Sequence, residues 1–414
     1  MLASAIIANK RDGQTLSRPE IEFMIDGFVS GAVLDYQMSA WAMAVLCRGM
    51  GKQEISDLTE CMLHSGICLQ RVTDRPRVDK HSTGGLGDKT SLILAPLLAC
   101  CDVDVPMLSG RGLGTTGGTL DKLEAFSGYR CDLSSSEIDR QLKSIGCVIT
   151  GTTPEITPAD RKLYSLRDVT ATVPSIALIT ASIMSKKLAE SLDALVLDVK
   201  FGSGAFMRDR VDAEQLAESL VNTGNQMHVP TQALMSDMNQ PLGRMVGNAC
   251  EVNESLDILR GLGPTETRGL TLDLCAPLLV ASGRVTRTED ALDLLVRKLD
   301  SGEALQRFQQ MVEHQSGKFV DHLPLANESV FVSPVSGRLV QFDGQRIGQA
   351  VIELGGGRRK LSDRIDHQVG LEMLVRLGDA VSVGQPLIRI FARTIAARSV
   401  AEQLLLSGMR MEGG

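Results

Sequence analysis

Apolar residues recur every three to four positions through three stretches near the start of the chain, Pro19 to Ser30, Asp35 to Gly49 and Ile55 to Ser65, with Gly31 and Gly51 parting them. This pattern predicts a small all-helical unit over residues 1–70. From Arg71 to Asp79 the chain is polar and charged, as a crossing between domains would be, and it then enters a glycine-rich segment unlike anything before it. Between Ser91 and Leu272 helical and strand patterns alternate, with β-rich runs at Val103–Leu108 and Ala194–Val199. Such alternation predicts a parallel sheet covered by helices, in a region spanning 75–326. After Asn327 short β-branched runs (VFVSPVSGRLVQF, QAVIEL, QPLIRIF) are separated by Gly and Asp turns, which predicts a compact antiparallel β unit over 327–414 closed by a terminal helix, ARSVAEQLLLSG. The expected fold class is therefore α/β: a small all-helical domain, a large mixed α/β domain, and a β-rich α+β C-terminal unit. Lipoyl-like or biotinyl-like carriers share the last pattern, but no lysine stands in a Met-Lys-Met hairpin tip here, which argues against a carrier.

Composition narrows the function classes. Lys plus Arg number 43 against 50 Asp plus Glu, a net charge of −7, so the chain lacks the overall electrostatic footprint of a nucleic-acid or anionic-membrane binder. Any anion must be held by a local site. The longest apolar stretch, Ser91–Cys101, is broken by Pro96 and is far shorter than the roughly 20 residues that span a bilayer. The first residues carry no basic group ahead of their apolar stretch, unlike a secretory signal, and a cytoplasmic protein is expected. The 9 cysteines contain no C-x-x-C and do not cluster with the 6 histidines at zinc-ligand spacing, so buried reduced thiols and no metal are expected. Of the histidines, His81 alone lies among residues that suggest chemistry.

Two segments carry that suggestion, DKHSTGGLGDKTS from Asp79 and SGRGLGTTGGTLDKLE from Ser109. Between Lys80 and Thr119 they hold 8 glycines, 3 serines and 5 threonines. Glycine lets backbone N–H groups approach an anion, hydroxyls add donors, and a following helix start adds positive dipole. Alone, either segment reads as a tight turn. Two of them, each beside a cation (Lys80, then Lys122 or Arg111) and each leading into a helix start, point to a bound anion. A third segment, YSLRDVTATVPSIALITASIMSKKLAE from Tyr164, places Pro174 at a helix start and sets Ser182 and Lys186 four apart on one helical face, beside Ile179 and Ile183. That face, with Arg167 reaching in from the preceding loop, suits a planar uncharged ring with carbonyl oxygens. A half-buried amphipathic helix with Lys186 and Lys187 in solvent has the same pattern.

KHSTGGLGDKTS, SGRGLGTTGGTLDKLE, LRDVTATV and ITASIMSKKLAE, in this order and followed by GGGRR and SDRIDHQVG, closely resemble the thymidine and pyrimidine-nucleoside phosphorylase family over nearly the whole chain. The resemblance implies a homodimer in which the helical domain, joined in space by residues 159–190, hinges against the α/β domain and closes on pyrimidine nucleoside and phosphate. It implies phosphate ligands at Lys80, Ser82, Ser91, Ser109 and Thr119. It also implies pyrimidine contacts at His81, Arg167, Ser182 and Lys186, and an apolar wall of Leu113, Tyr164, Ile179, Ile183 and Phe206. His81, Arg167 and Lys186 would carry catalysis, with no cofactor beyond phosphate as co-substrate. The chain departs from the family at Thr115, Thr152 and Ala177, where His, Gln and Pro are usual, which bears on loop geometry and hinge stiffness. In family members of broad specificity a potassium-type site includes a Thr aligned with Lys89; an ammonium disfavours a cation there, and Glu254 is its expected partner. That leans toward thymidine phosphorylase, with a broad enzyme also using uridine as the alternative. A phosphoribosyltransferase or a non-catalytic nucleoside-binding protein are more distant readings.

Overall fold

The computed structural model describes residues 1–112, 117–360 and 363–413. Leu113 and Thr115 lie outside the described residues. The chain opens with four helices, α1 (Ala3–Arg11), α2 (Arg18–Ser30), α3 (Asp35–Arg48) and α4 (Lys52–His64). Local chemistry sets their ends: the Glu20 carboxylate accepts the Ser17 N–H at 2.8 Å at the start of α2, and Gly31 ends that helix at φ +85°. Met24, Phe28, Met38 and Trp41 fill the core between them. Helix α1 was not among the elements the pattern singled out; only Ala3, Ile6 and Lys10 of it are buried, so no broad apolar stripe announces it.

The central region follows as β1 (Val78–Ser82), α5 (Thr90–Ala99), β2 (Val105–Leu108), α6 (Thr119–Leu123), α7 (Ser135–Ile145), β3 (Cys147–Thr150), α8 (Pro158–Val169), α9 (Ile176–Leu188), β4 (Ala194–Phe201), α10 (Arg210–Gln226), β5 (Thr231–Asp237), β6 (Met245–Val246), α11 (Asn248–Leu259), α12 (Thr265–Ala281), α13 (Thr288–Asp300) and α14 (Glu303–His314). Strands β1, β4 and β5 pair in parallel, with Val78 opposite Ala194 and Leu195 opposite Thr231. The parallel pair β2–β3 adjoins β1 through a bridge between Arg77 and Asp104. One buried cluster packs α5, α12 and α14 on one side of this sheet, and another packs α7, α9 and α10 on the other. Strand β4 is buried along nearly its whole length, as a strand covered on both faces must be.

Helix α9 belongs to two cores. Ala177, Leu178 and Ala181 pack with α8 residues Ala159 and Leu163 into the N-terminal helical cluster. Ile183, Met184 and Leu188, further along the same helix, pack against the sheet. The element that joins the helical unit to the sheet is thus a continuous helix, α9.

The last segment holds β7 (Asn327–Val332), β8 (Gly337–Phe342), α15 (Gly344–Leu354), β9 (Gly370–Met373), β10 (Ala380–Val381), β11 (Pro386–Ala392), α16 (Ile395–Ser407) and β12 (Met409–Glu412). Two antiparallel sheets form, β6-β9-β11-β7 and β10-β8-β12, so β6 of the central region is an edge of the C-terminal sheet. QAVIEL, expected as a strand, lies in α15: Asp343 caps the helix, accepting N–H groups of Gln345 and Arg346, and buried Ile347, Ala350, Val351 and Leu354 recur at helical spacing. Nor does the chain end on its terminal helix, because β12 follows and pairs with β8. Among the described residues, no helix is long and apolar enough to cross a membrane.

Leu178, fully buried between α9 and the helical cluster, tests that junction. Leu178→Ala should lower stability by about 2–5 kcal/mol, read as a reduced urea midpoint.

Candidate active site

The C-terminal end of β1 delivers Lys80, His81 and Ser82 to the edge where open parallel sheets form their sites. Lys80 Nζ donates to Thr90 Oγ1 at 2.6 Å and Ser91 Oγ at 3.4 Å, so strand β1 and the first turn of α5 face each other across one ammonium. Asp88 and Asp198 lie 3.8 and 3.9 Å from the same nitrogen, and Lys200 pairs with Asp198 at 2.8 Å. Two buried ammoniums and two carboxylates therefore balance. Burial alone would raise the Asp88 carboxyl, but Lys200, Lys80 and Lys122 together hold it well below the usual carboxylate range. Burial pulls the Lys80 ammonium down, against the pull of Asp88 and Asp198.

Ser82 and Ser91 are half-buried beside this network. Ser109 follows β2, its N–H donating to Thr150 O at 2.8 Å, and Thr119 opens α6. The other two cations expected near the glycine segments are each paired with a carboxylate. Arg111 pairs with Glu124 at 2.6 Å, and Lys122 pairs with Glu251 at 2.8 Å and donates to the Asp88 carbonyl.

The second group stands on α8 and α9. Lys186 Nζ donates to Ser182 Oγ at 3.0 Å, the i, i+4 contact that the spacing predicts. It also pairs with Asp160, in the first turn of α8. Asp160 was missed in the sequence; the one signal was an acidic residue just inside a proline-started helix. Ile183 is buried and Ile179 half-buried, whereas Tyr164 and Phe206 are exposed.

Arg167 departs from expectation. It sits in the last turn of α8, not in a loop, and is 2% exposed. Its guanidinium donates to the carbonyls of Thr172 at 3.4 Å, Val173 at 2.7 Å and Leu178 at 3.0 Å, clamping the α8–α9 turn. Burial pushes its pKa down to about 10, which leaves it cationic at neutral pH. The start of α9 also moves: Ser175 caps it, accepting the Leu178 N–H, and Ile176 is its first residue, two beyond Pro174.

Lys187 is not in solvent. Its side chain is 1% exposed and pairs with Asp79 and, at 2.8 Å, with Glu190, while donating to Leu108 O at 3.0 Å. His81, half-buried above it, is held well below 6.5 by burial first and then by Lys187, Lys186 and Lys80. A neutral imidazole follows at neutral pH. Lys89 lies 1% exposed, with its Nζ on Leu242 O at 2.9 Å, Met245 O at 3.0 Å and the Glu254 carboxylate. Three oxygens thus converge on one ammonium.

Three family descriptions match successive parts of the chain: the helical bundle domain of a glycosyl transferase family over residues 4–66, that family's a/b domain over 74–305, and the pyrimidine nucleoside phosphorylase C-terminal domain over 339–411. Pyrimidine-nucleoside phosphorylase of Staphylococcus aureus strain bovine RF122 / ET3-1 is 43% identical over 406 residues, covering 96% of this chain and 94% of that protein. The chain belongs to the pyrimidine-nucleoside phosphorylase family. Its counterparts from strains MSSA476 and N315 match to the same 43% over 406 residues. Among solved structures, anthranilate phosphoribosyltransferase from Thermus thermophilus aligns with TM-score 0.60 at 17% identity, covering 75% of this chain and 99% of that one, a likeness of fold. Of the family departures, Ala177 is buried in the helical cluster and Thr152 is exposed in the loop after β3.

Arg167→Ala should cost about 1–3 kcal/mol by leaving three carbonyls without their donor, and Arg167→Lys should not restore it, since one ammonium cannot span them. Urea denaturation reads both. For His81, the depressed pKa means that above pH 6.5 folded and unfolded states are both neutral there, while on acidification the unfolded chain takes the proton first, so this residue's contribution to stability falls as pH drops below 6.5. NMR of the ring carbons should show no His81 titration between about pH 6.5 and 8; a midpoint within that window contradicts the assignment.

Proposed function

We propose that the chain catalyses reversible phosphorolysis of pyrimidine nucleosides with a preference for the deoxy series, converting thymidine and phosphate to thymine and 2-deoxy-α-D-ribose 1-phosphate. One observation carries the reading. At the end of a parallel sheet a lysine on β1 meets a serine in the first turn of α5 (Lys80, Ser91), and α9, which packs against β1, carries a second lysine–serine pair (Ser182, Lys186), with His81 next to Lys80 on the same strand. An anion suits the first pair and the carbonyl edge of a planar ring suits the second.

In this reaction a phosphate oxygen forms a bond to the anomeric carbon as the bond from that carbon to the ring nitrogen breaks, with inversion. The electron pair of the broken bond goes to the departing base, whose ring nitrogen takes up the proton that the hydrogen phosphate brought in. Lys80, Ser82, Ser91, Ser109 and Thr119 hold phosphate. Lys186 and Arg167 stabilise the charge that grows on the base, Ser182 orients it, and Leu113, Tyr164, Ile179, Ile183 and Phe206 wall the ring. A neutral His81 donates a hydrogen bond to the base's second-position oxygen and needs no prior protonation. Arg167, occupied by carbonyls at the α8–α9 turn, ties the base contact to the geometry of that turn. No covalent intermediate and no cofactor enter. We propose a homodimer working in the cytoplasm.

The deoxy preference rests on Lys89. Its ammonium stands among two carbonyls and a carboxylate, the donor set that would suit a potassium ion, and a second cation there is repelled. A broad enzyme using uridine equally is the competing reading.

The test follows release of free base from thymidine, deoxyuridine and uridine in parallel, with and without phosphate and potassium. Release that requires phosphate, ignores potassium and favours the deoxynucleosides is expected, and Lys89→Thr should introduce potassium dependence. Equal use of uridine, or potassium dependence in the unaltered protein, contradicts the preference. Phosphate-independent release contradicts the reaction.

A further inference from the structure

The glycine segment between β2 and α6 is held from outside the central domain. Asp121, in α6 and 1% exposed, accepts the Gly112 N–H on Oδ2 at 2.7 Å. Its other oxygen accepts Arg358 Nη1 at 2.8 Å and Arg111 Nη1 at 3.2 Å. One carboxylate thus joins the entering limb of the segment, the helix that the leaving limb starts, and a side chain of the C-terminal domain. The two limbs touch: a Cβ on Gly118 would come within 2.0 Å of the Gly112 nitrogen. Their spacing is therefore set by what holds Gly112 to α6.

Arg358 is built to reach this point. It follows three glycines after α15, where Gly355 turns at φ +100° and a Cβ on Gly356 or Gly357 would come within 2.8 Å of Val351 or Ile352. The chain can therefore double back tightly along α15 and point across the domain boundary. Asn248 Nδ2, at the start of α11, donates to Gly356 O at 2.8 Å and fixes the turn to the central domain. The Arg358 side chain is 10% exposed against 45% for Arg111, so it is the better shielded of the two cations on Asp121. The next residue, Lys122, pairs with Glu251 and donates to the Asp88 carbonyl, linking the same helix to the loop that follows Lys80.

We propose that Arg358 is a positioning residue for phosphate, acting from the C-terminal domain through Asp121 to hold the limbs of the glycine segment, with Ser109 at its start and Thr119 at its end, in their binding shape. The proposal rests on the phosphate site of the proposed reaction. It gives the C-terminal domain a part in substrate binding that stability alone would not.

The test uses the full chain with Arg358→Met, Arg358→Lys and Asp121→Asn. Initial rates are measured with phosphate and thymidine varied separately, together with the rise in melting temperature that phosphate alone confers. Arg358→Met should raise the KM for phosphate about tenfold and shrink the phosphate-induced rise in melting temperature, while the KM for thymidine stays within about twofold. Arg358→Lys should recover part of the loss, and adding Arg358→Met to Asp121→Asn should cost little more than Asp121→Asn alone. An unchanged KM for phosphate overturns the proposal. So does an equal rise in both KM values with a lower melting temperature, which would leave Arg358 only fastening two domains. If the unaltered protein releases no base with phosphate, the reaction itself fails, and phosphate protection against melting still decides the part played by Arg358.

Discussion

One buried ammonium holds the site's three carriers in register. Lys187 Nζ pairs with Asp79 beside Lys80 on β1, donates to the carbonyl of Leu108 just before Ser109, and pairs with Glu190 beyond the end of its own helix. Glu190 in turn accepts the Leu108 N–H at 2.9 Å. Burial, with Asp79 close by, holds the Glu190 carboxyl well above the usual carboxylate range. A charge placed this deep is stable only while every partner stays, and stripping one partner from such a group costs about 3–5 kcal/mol. Strand β1 and helix α9 are consequently fixed to each other at one point.

From that point α9 runs outward into the helical unit. Its far half leaves the sheet and packs with α8, and the clamp of Arg167 on the turn between them makes the two helices one body with the N-terminal bundle. The electrostatics suit a substrate that arrives charged and a leaving group that becomes so. Lys80 is balanced by carboxylates but presents hydroxyl partners at a helix start, Lys186 is steadied by Asp160, and His81 stays neutral between them.

Much of this was legible along the chain, and what was not has physical causes. Helical periodicity marked α2, α3 and α4, and the lysine–serine pair of α9 could be read because i, i+4 neighbours share a face. Lys80 stood out through the glycines around it. Arg167 could be named but not placed, because its partners are backbone carbonyls, which leave no mark in a sequence. Lys187 had the pattern of a solvated residue and is buried, since its carboxylates come from β1 and from beyond the helix. Asp121 and Arg358, 237 positions apart, meet only through tertiary structure. QAVIEL misled because a buried strand and an amphipathic helix both place Val, Ile and Leu close together, and the Asp343 cap and the helical spacing that starts at Ile347 lie outside or across that short run.

The central claim is that the glycine segments beside Lys80 and the α8–α9 face around Lys186 are two halves of one site. A crystal structure of the protein with thymine and phosphate bound together tests it most directly. Phosphate contacting Lys80, Ser91 and Ser109, with the thymine ring edge on Ser182 and Lys186 across a single cleft, is the predicted result. Phosphate seated away from Lys80, or thymine in a cavity that does not include α9, would contradict it.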